Sequence, residues 1–342
     1  MMNKKNKFFN KKNKLYIVLL MIILILIYFY YNSNIILESF DVINNKTVVI
    51  IHTQKSKLYA SKIKKHIKSK CILSTVNDLE KNLSTVNEQS KLIIHPRTAT
   101  PLDSKWIKLL KEKEKGGAII VNPPNLLQLT SNKLKCAVLL YNSGINHPET
   151  WEGKKNDKKT LDLINRLLKK RDKLIIKPFN SISQGAYVQI IRKDSNEETI
   201  KNLISKIPTN PFVIQDYINY KAIYRVIIIN GKALPFSFID KPTNDRWKVS
   251  VCLNKDRMKF VYYPKKELLQ LGIDTQNIIN KEVNNPQSGI HFIDIFETIY
   301  DKFVISEINT ACSLSIHERL AKTAGHPDWQ ISKHIANYLN SL

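Results

Sequence analysis

Three oxygen-bearing side chains near the end of the sequence have the types and spacing of a metal site. Glu307 and Asn309 lie two residues apart, where the apolar run of the stretch FVISEIN ends. Side chains at positions i and i+2 of a strand point to the same side, so these oxygens converge. Asp294, in FIDIFET, lies on a strand that we expect to pair with this one as a hairpin. Hard oxygens of this kind bind Mg²⁺; the alternative is a set of polar residues on a solvated strand edge.

Several features that could contact a ligand precede these residues. Lys177 ends the apolar stretch LIIKPF, where a fixed ammonium could meet phosphate oxygens, although a surface lysine is the alternative. The segment NSISQGAY is a small polar loop with Gly185, short enough to close over a ligand. The stretch FVIQDYI, residues 212–218, could present backbone groups to a purine edge, and Arg225 lies near the head of YRVIIING. Each feature alone is weak evidence, and their weight comes from their order and spacing along the chain.

The first of the two predicted units, residues 46–125, alternates strands with helices. KTVVIIHT, CILST, KLIIHP and GGAIIVNPP read as strands, and residues 57–69 and 102–115 as helices. This alternation predicts a small parallel sheet covered on both faces. The residues after the first strand, His-Thr-Gln-Lys, lack the spaced glycines of a dinucleotide site. We therefore expect a substrate-side or structural role for this unit.

The second unit, residues 126–342, has an antiparallel α+β pattern. The pair Asn230-Gly231 predicts a tight hairpin between YRVIIING and KALPFSFID, and a second hairpin joins GIHFIDIFE to KFVISEIN. Further strands are KLIIKPF, AYVQIIR, FVIQDYI and KFVYYP. The predicted helices begin near Ser131 and cover residues 158–170, 196–206, 274–284 and 316–340. No internal repeat interrupts this order.

The N-terminal residues predict a membrane anchor. A basic segment with six lysines, residues 1–14, precedes the unbroken apolar run 15–31, and a polar linker follows at 32–45. Seventeen helical residues span about 26 Å, enough for a thin bilayer. No small-residue cleavage site follows the run, which favours an uncleaved signal anchor over a cleaved signal peptide. The positive-inside rule places the N-terminus in the cytosol and the bulk of the chain across the membrane.

Composition narrows the choice of partners. The net charge is +25, which suits nucleic acid, anionic lipid or a phosphorylated substrate. Only 8 of the 54 basic residues are arginine, however, and the excess of Lys, Asn and Ile is what an AT-rich genome imposes. Because no basic block is interleaved with aromatic residues, nucleic acid is not an expected partner. The four cysteines form no CxxC pair and the histidines have no zinc spacing, so we expect buried thiols.

Taken in this order, the motifs of the second unit resemble the ATP-grasp superfamily, and more narrowly its carboxylate–amine ligases, such as the ribosomal-protein glutamate ligase and glutathione synthetase. The resemblance covers residues 125–325, and the unit at 46–125 resembles the small domain that precedes the grasp. It implies an α+β ATP-grasp fold, in which two subdomains grip ATP, with Mg²⁺ or Mn²⁺ as the metal.

The resemblance also implies a role for individual residues. Lys133 and Lys177 match lysines that approach the nucleotide phosphates, and Arg225 matches the arginine of an Asp-x-Arg element. Arg246 or Lys248 falls where a basic residue reaches the γ-phosphate, so Arg225, Arg246 and Lys248 are the implied catalytic residues. The residues matching the hinge that brackets adenine are Gln215, Asp216, Tyr217 and Ile218, and those matching the metal ligands are Asp294, Glu307 and Asn309.

The sequence also departs from the family pattern at three places. Ile223 stands where the Asp of Asp-x-Arg is expected, so the acidic contact is either missing or supplied by Asp216. The loop over the ligand has one glycine where two or three are common. Ser250 replaces an asparagine that often follows the basic residue of a later strand. None of these departures removes a metal ligand or a phosphate lysine.

The resemblance implies an ATP-dependent ligase that joins a small-molecule or peptide carboxylate to an amine through an acyl-phosphate. Two alternatives remain open. A kinase of the same fold would phosphorylate a polyol, sugar or inositol phosphate, and a membrane-tethered ATP-binding protein would show no turnover. The predicted topology also conflicts with the cytosolic location of most ATP, so the side of the membrane on which the domain lies stays open.

Overall fold

The computed structural model describes residues 21, 23–28, 45–97, 104–180, 187–242, 258–284, 289–310 and 314–342. Residues 21 and 23–28 are helical, and the rest of the predicted span 15–31 lies outside the described residues. Within the described ranges, no helix is both long and apolar enough to cross a membrane.

Thirteen strands and ten helices follow from residue 46 onward in the described part of the chain. The strands are β1 Lys46–His52, β2 Lys70–Thr75, β3 Lys91–Arg97, β4 Ile119–Ile120, β5 Thr150–Gly153, β6 Lys173–Pro178, β7 Gln189–Arg192, β8 Phe212–Asp216, β9 Tyr220–Ile229, β10 Lys232–Asp240, β11 Lys259–Tyr262, β12 Ile290–Thr298 and β13 Phe303–Asn309. The helices are α1 Lys57–Lys64, α2 Leu79–Ser84, α3 Ser104–Lys115, α4 Pro124–Ser131, α5 Lys133–Asn142, α6 Lys158–Leu168, α7 Glu197–Ser205, α8 Lys266–Glu282, α9 Leu314–Thr323 and α10 Ile331–Ser341. A 3₁₀ helix, Gln54–Ser56, precedes α1.

The first sheet is parallel, as the alternation of strands and helices predicted. Its order is β2-β1-β3-β4, and all seven residues of β1 are buried. Val48 and Ile50 face α1 and the C-terminal helix α10, whereas Val49 and Ile51 face α2 and α3. A parallel strand buried on both faces reads as a continuous apolar run, which is why VVII was recognisable in the sequence.

The C-terminus closes this first unit. Ile335 and Leu339 of α10 belong to the same buried cluster as Ile63 of α1. Polar contacts accompany this packing: Lys46 Nζ donates to the carbonyl of Asn340 at 2.6 Å, and Asn340 Nδ2 donates to the carbonyl of His66 at 3.0 Å. Helix α10 therefore completes the core around β1.

The second sheet is antiparallel, in the order β5-β8-β6-β7, and has a core of its own. Helices α6 and α7 cover one face, where Leu174 and Ile176 of β6 pack with Phe212 of β8. Side chains alternate along a strand, so Ile175 and Lys177 are directed to the opposite face. The predicted strand LIIKPF thus packs one face in the core and directs the side chain of Lys177 away from that core.

The third sheet is antiparallel in the order β11-β10-β9-β12-β13. Asn230 and Gly231 have φ of 51° and 72°, the left-handed conformation that a two-residue hairpin requires, and this confirms the predicted turn. One face of the sheet packs on α8 through side chains such as Val226 and Ile293. The other face joins the core of the first unit through Ile227 and Phe292.

The structure differs from the sequence prediction at several element boundaries. Residues 124–131 form α4, where the prolines suggested only the end of a strand; proline is well suited to the first turn of a helix. Helix α8 begins at Lys266, eight residues before the predicted start. The predicted helix 316–340 is two helices, α9 and α10, because Gly325 turns the chain at φ of 86°. The short strand β5 was not predicted.

We expect the substitution Gly153→Ala to destabilise the second sheet. A Cβ at this position would lie 2.5 Å from Cζ of Phe212, a fully buried ring, and 3.0 Å from Cδ1 of Ile214. Overpacking of this kind costs about 1–3 kcal/mol, measured as the free energy of unfolding in urea. Gly116→Ala, at an exposed position whose nearest neighbour would be 3.4 Å away, is the control. Equal unfolding midpoints for the two variants would contradict the expectation.

Candidate active site

Three charged side chains form a row across the third sheet. Asp294 on β12 lies opposite Arg225 on β9 and opposite Glu307 on β13. Opposed residues of antiparallel strands point to the same face, so the three side chains share one side of the sheet. Asp294 pairs with Glu307, but the next residue, Ile295, pairs with Ile305. The register therefore shifts by one residue, and Ser306 has no residue opposite it on β12. This β-bulge brings the two carboxylates into one row.

Arg225 and Asp294 form a buried bidentate ion pair. Nε of Arg225 donates to Oδ1 of Asp294 at 2.7 Å, and Nη2 donates to Oδ2 at 2.7 Å. The residues are only 3% and 5% exposed. Burial raises the pKa of Asp294, and the facing guanidinium opposes this shift. Paired hydrogen bonds of this geometry fix both side chains in one orientation.

The acidic partner of Arg225 is therefore Asp294, which corrects the expectation drawn from Ile223. Ile223 is buried in the core of the third sheet. Asp216, the other acid considered, forms an ion pair with Nε of Arg171 instead. The sequence contains the required carboxylate, but on a strand 69 residues away from the arginine.

Lys133 contacts the second carboxylate of the row. Its Nζ lies 2.9 Å from Oε1 of Glu307. Lys133 is the first residue of α5, where Oδ1 of Asn132 caps the helix by accepting from the backbone N–H of Lys135 at 2.9 Å. Burial acts to raise the pKa of Glu307, but the ammonium groups of Lys133 and Lys177 outweigh it and lower the pKa to about 2. Glu307 is therefore ionised at neutral pH.

Lys177 reaches the same cleft from the second sheet. Its Nζ donates to Oε1 of Gln215 on β8 at 2.8 Å. Burial and the ammonium of Lys133 lower the pKa of Lys177 to about 8, and Glu307 opposes the shift. The cleft between the two sheets is lined by Lys133, Cys136, His147, Lys177, Ser306 and Glu307.

The predicted adenine hinge lies at the end of β8. Gln215 and Asp216 are its last two residues, and Tyr217 and Ile218 follow it. The ring of Tyr217 lies 5.1 Å from Nζ of Lys173, a cation–π distance. The side chain of Gln215 points to Lys177, so only the backbone of this segment and the residues after it remain for a base.

The structure thus brings together Lys133, Lys177, Arg225, Asp294 and Glu307. Asn309 of β13 lies opposite Phe292 of β12. It shares a face with Glu307, as predicted from the spacing. Arg246, Lys248 and Ser250 lie outside the described residues, as does the loop segment 181–186 with Gly185. Their predicted positions stay predictions.

Two residues near the cleft were not found from the sequence. The guanidinium of Arg171 contacts the carboxylates of Glu149 and Asp216, and it lies 5.1 Å from the ring centre of Trp151. His147 donates from Nδ1 to the carbonyl of Pro148 at 2.8 Å. Burial and Lys177 lower the pKa of His147 to about 4, so its imidazole is neutral at physiological pH. Both residues lie outside any periodic pattern, and no spacing signal marks them.

The donor set of this site fits a magnesium ion. Asp294, Glu307 and Asn309 supply hard oxygens from one face of β12 and β13. Each oxygen of Asp294 keeps a lone pair beyond the bond that it accepts from Arg225. Among the described residues, no group of three His, Cys, Asp or Glu side chains is placed to hold a metal. The set therefore needs the carboxamide of Asn309 and oxygens from a ligand to complete a coordination shell.

Comparison with known proteins agrees with this geometry. Residues 155–257 match the family model described as "Prokaryotic glutathione synthetase, ATP-grasp domain". A curated relative is the glutathione synthetase of Buchnera aphidicola subsp. Baizongia pistaciae (strain Bp). It is 24% identical over 289 residues, which cover 80% of this chain and 82% of that protein.

Solved structures share the fold over most of their length. D-cycloserine synthetase DcsG has a TM-score of 0.64 at 10% identity, covering 86% of this chain and 99% of its own. D-alanine–D-alanine ligase from Bacillus anthracis, complexed with ATP, has a TM-score of 0.60 at 17% identity, with coverages of 86% and 96%. The ATP-grasp ligase PsnB, complexed with a phosphomimetic variant of its minimal precursor, Mg and ADP, has a TM-score of 0.62 at 11% identity, with coverages of 87% and 99%.

The fold of this chain is therefore the ATP-grasp fold. The family match and the curated relative confirm the narrower prediction as well, which was a resemblance to ATP-dependent carboxylate–amine ligases. Ligases of this fold use ATP and Mg²⁺, the cofactors expected from the sequence.

We expect Lys177→Met to increase stability at neutral pH. The pKa of Lys177 falls from 10.5 to about 8 on folding. Between these values the unfolded chain binds more protons, so the stability of the natural protein rises with pH across this window. The advantage of the variant should be full below pH 8 and should shrink towards pH 10.5, as measured by urea unfolding. Lys170→Met, at an exposed position after α6, controls for the lost charge. A constant difference between pH 7 and 10.5 would contradict this reasoning.

Proposed function

We propose that this protein is an ATP-dependent ligase that joins a carboxylate to an amine through an acyl-phosphate. The observation that carries the proposal is the convergence of two lysines and the Arg225–Asp294–Glu307 row at one cleft of an ATP-grasp fold. Lys133, Lys177 and Glu307 line the cleft, and the Arg225–Asp294 pair beside Glu307 is neutral, so the cleft has an excess of one positive charge. Such a site attracts a nucleoside triphosphate and orients its phosphates.

The residues divide the task as follows. Lys133 and Lys177 bind the phosphate oxygens, and the backbone at residues 215–218 borders the purine. Asp294, Glu307 and Asn309 would hold Mg²⁺, which would neutralise charge on the nucleotide phosphates. Arg225 fixes the orientation of Asp294 through its two hydrogen bonds. Arg246 or Lys248 would add a cation at the γ-phosphate.

The reaction needs positioning and charge compensation. An oxygen of the substrate carboxylate attacks the γ-phosphorus, and the bond to the β–γ bridging oxygen breaks to release ADP. The amine then attacks the acyl carbon, phosphate leaves, and the amine proton passes to solvent or phosphate. Burial raises the pKa of the Cys136 thiol to about 12, so this thiol stays protonated and is a poor nucleophile. Catalysis rests on orientation and electrostatic stabilisation.

The substrates are proposed only by class. The similar proteins include a glutathione synthetase, a D-alanine–D-alanine ligase and an ATP-grasp ligase complexed with a precursor peptide. All of these names fit amino acids or peptides as substrates, and we propose that class here. We also propose that the parallel unit of β1–β4 is the domain that precedes the grasp and borders the acceptor site.

The test is acceptor-dependent turnover of Mg-ATP by the full chain. Pools of amino acids, short peptides and acidic sugars are supplied, and ADP, inorganic phosphate and product mass are measured. We expect ADP and phosphate in equal amounts, with a product that has lost one water. Glu307→Gln should lower the rate by about 100-fold or more, because it removes a charged metal ligand. Glu152→Gln, at an exposed carboxylate of β5, should not.

Two outcomes would contradict the ligase proposal. Transfer of the phosphoryl group to an acceptor, without release of inorganic phosphate, would indicate a kinase. Nucleotide-dependent thermal stabilisation with no ADP formed from any pool would indicate a binding protein.

We also propose that residues 15–31 anchor the chain in a membrane. The support is the unbroken apolar run after six lysines, and the position of residue 45 directly before β1. The linker 32–45 can extend by at most about 50 Å, so the sheet would stay close to the bilayer.

Sealed vesicles that carry the full chain test both the anchor and its orientation. We expect the protein to remain in the membrane pellet after alkaline carbonate extraction, whereas a variant lacking residues 1–31 should be released. The positive-inside rule predicts that protease added on the cytosolic side leaves the domain intact. Digestion of the domain from that side would show that the orientation is the opposite of the predicted one. Release of the full chain by carbonate would contradict the membrane anchor.

A further inference from the structure

A chain of hydrogen bonds leads from the backbone of Pro148, two residues before β5, to the ammonium of Lys177. The hydroxyl of Thr150 donates to the carbonyl of Pro148 at 2.7 Å. Nε2 of Gln215 donates to Oγ1 of Thr150 at 2.9 Å. Nζ of Lys177 donates to Oε1 of Gln215 at 2.8 Å. The bonds cross three strands of the second sheet, since Gln215 lies opposite Thr150 on β5 and opposite Ile175 on β6.

The chemistry of the groups allows only one direction for this chain. A carbonyl can only accept, so the single hydroxyl proton of Thr150 is used on Pro148. Oγ1 of Thr150 must then accept from Gln215, which turns the amide nitrogen towards Thr150 and the amide oxygen towards Lys177. The flipped amide would place an NH₂ group against an ammonium. The backbone carbonyl of Pro148 therefore determines which atom Lys177 meets.

Burial helps to keep the amide of Gln215 in this orientation. Gln215 is only 6% exposed, so water cannot easily replace its partners. A lysine side chain has four rotatable bonds and loses much rotamer freedom when its end is held. Gln215 supplies that hold before any ligand arrives, and it does so from the face that Lys177 shares with Ile175.

We propose that Gln215 and Thr150 are positioning residues that hold Lys177 over the phosphate side of the cleft. This inference rests on the proposed function, in which Lys177 binds nucleotide phosphates. It agrees with the expectation that this segment meets a purine through backbone groups, because both ends of the Gln215 amide are already engaged. The base is left to the backbone and to the residues that follow β8.

Binding of ATP and of adenosine separates the two roles of Gln215. The full chain and its Gln215→Leu and Thr150→Val variants are titrated with each ligand in the presence of Mg²⁺. We expect about a 10-fold loss of affinity for ATP and no change for adenosine, since a hydrogen bond to a charged group is lost and no base contact is touched. Thr150→Ser retains the hydroxyl and should bind ATP as the natural protein does. Gln128→Leu, at an exposed residue of α4, is the matched control.

An equal loss for ATP and adenosine would overturn the inference and return Gln215 to the adenine site. Unchanged ATP affinity in both variants would overturn it as well. Thermal unfolding of each variant, compared with the control, shows whether a loss of binding reflects a loss of folded protein.

The rate at which an amine-reactive ester acylates Lys177 provides a readout that needs no nucleotide. It is followed by mass spectrometry of the ligand-free protein. Gln215→Leu and Thr150→Val should raise this rate several-fold, because the amine is released and its charged form loses an acceptor, whereas Thr150→Ser should not. If the natural protein binds no ATP, the proposed function fails, and this rate still decides whether the chain of bonds holds Lys177. Equal rates in all variants would end the inference.

Discussion

The buried ion pair between Arg225 and Asp294 is the constraint on which the site depends. A carboxylate this deep in a sheet is tolerated only when its charge is matched and its oxygens are hydrogen-bonded, and the guanidinium does both. The pair ties β9 to β12 at the position where the β-bulge brings Glu307 alongside. Removing either partner would leave an unmatched charge in the core. Both the stability of the sheet and the geometry of the site therefore require this pair.

The electrostatics of the cleft follow from this row. Lys133 and Lys177 arrive from a helix start and from another sheet, and each is near enough to influence the charge of Glu307. Their positions are set by backbone elements: the cap of α5 for Lys133, and the alternation of β6 for Lys177. The neighbouring His147 and Cys136 are held neutral by burial. The cleft therefore concentrates fixed cations beside hard oxygens, an environment suited to phosphate rather than to covalent catalysis by the protein.

Local patterns predicted much of this arrangement. Apolar runs identified the strands that are buried on both faces, and the spacing of Glu307 and Asn309 gave their common side. The Asn-Gly pair gave one hairpin. Features that depend on pairing between distant segments could not be predicted from local patterns. The bulge at Ser306, the choice of Asp294 as the partner of Arg225 and the contacts of Arg171 all arise from register and tertiary packing, which leave no local periodicity. Helix α4 was missed because proline was read as a terminator, although it also begins helices.

The packing of α10 against α1 and β1 has a consequence for the order of folding. One side of β1 is lined by residues of α10, and the bond from Lys46 to the carbonyl of Asn340 joins residues 294 positions apart. Contacts between segments this distant form slowly, because a long stretch of chain must first be brought together. Until α10 arrives, one apolar face of β1 stays uncovered, and a chaperone that shields this face would have to remain bound until the two segments meet.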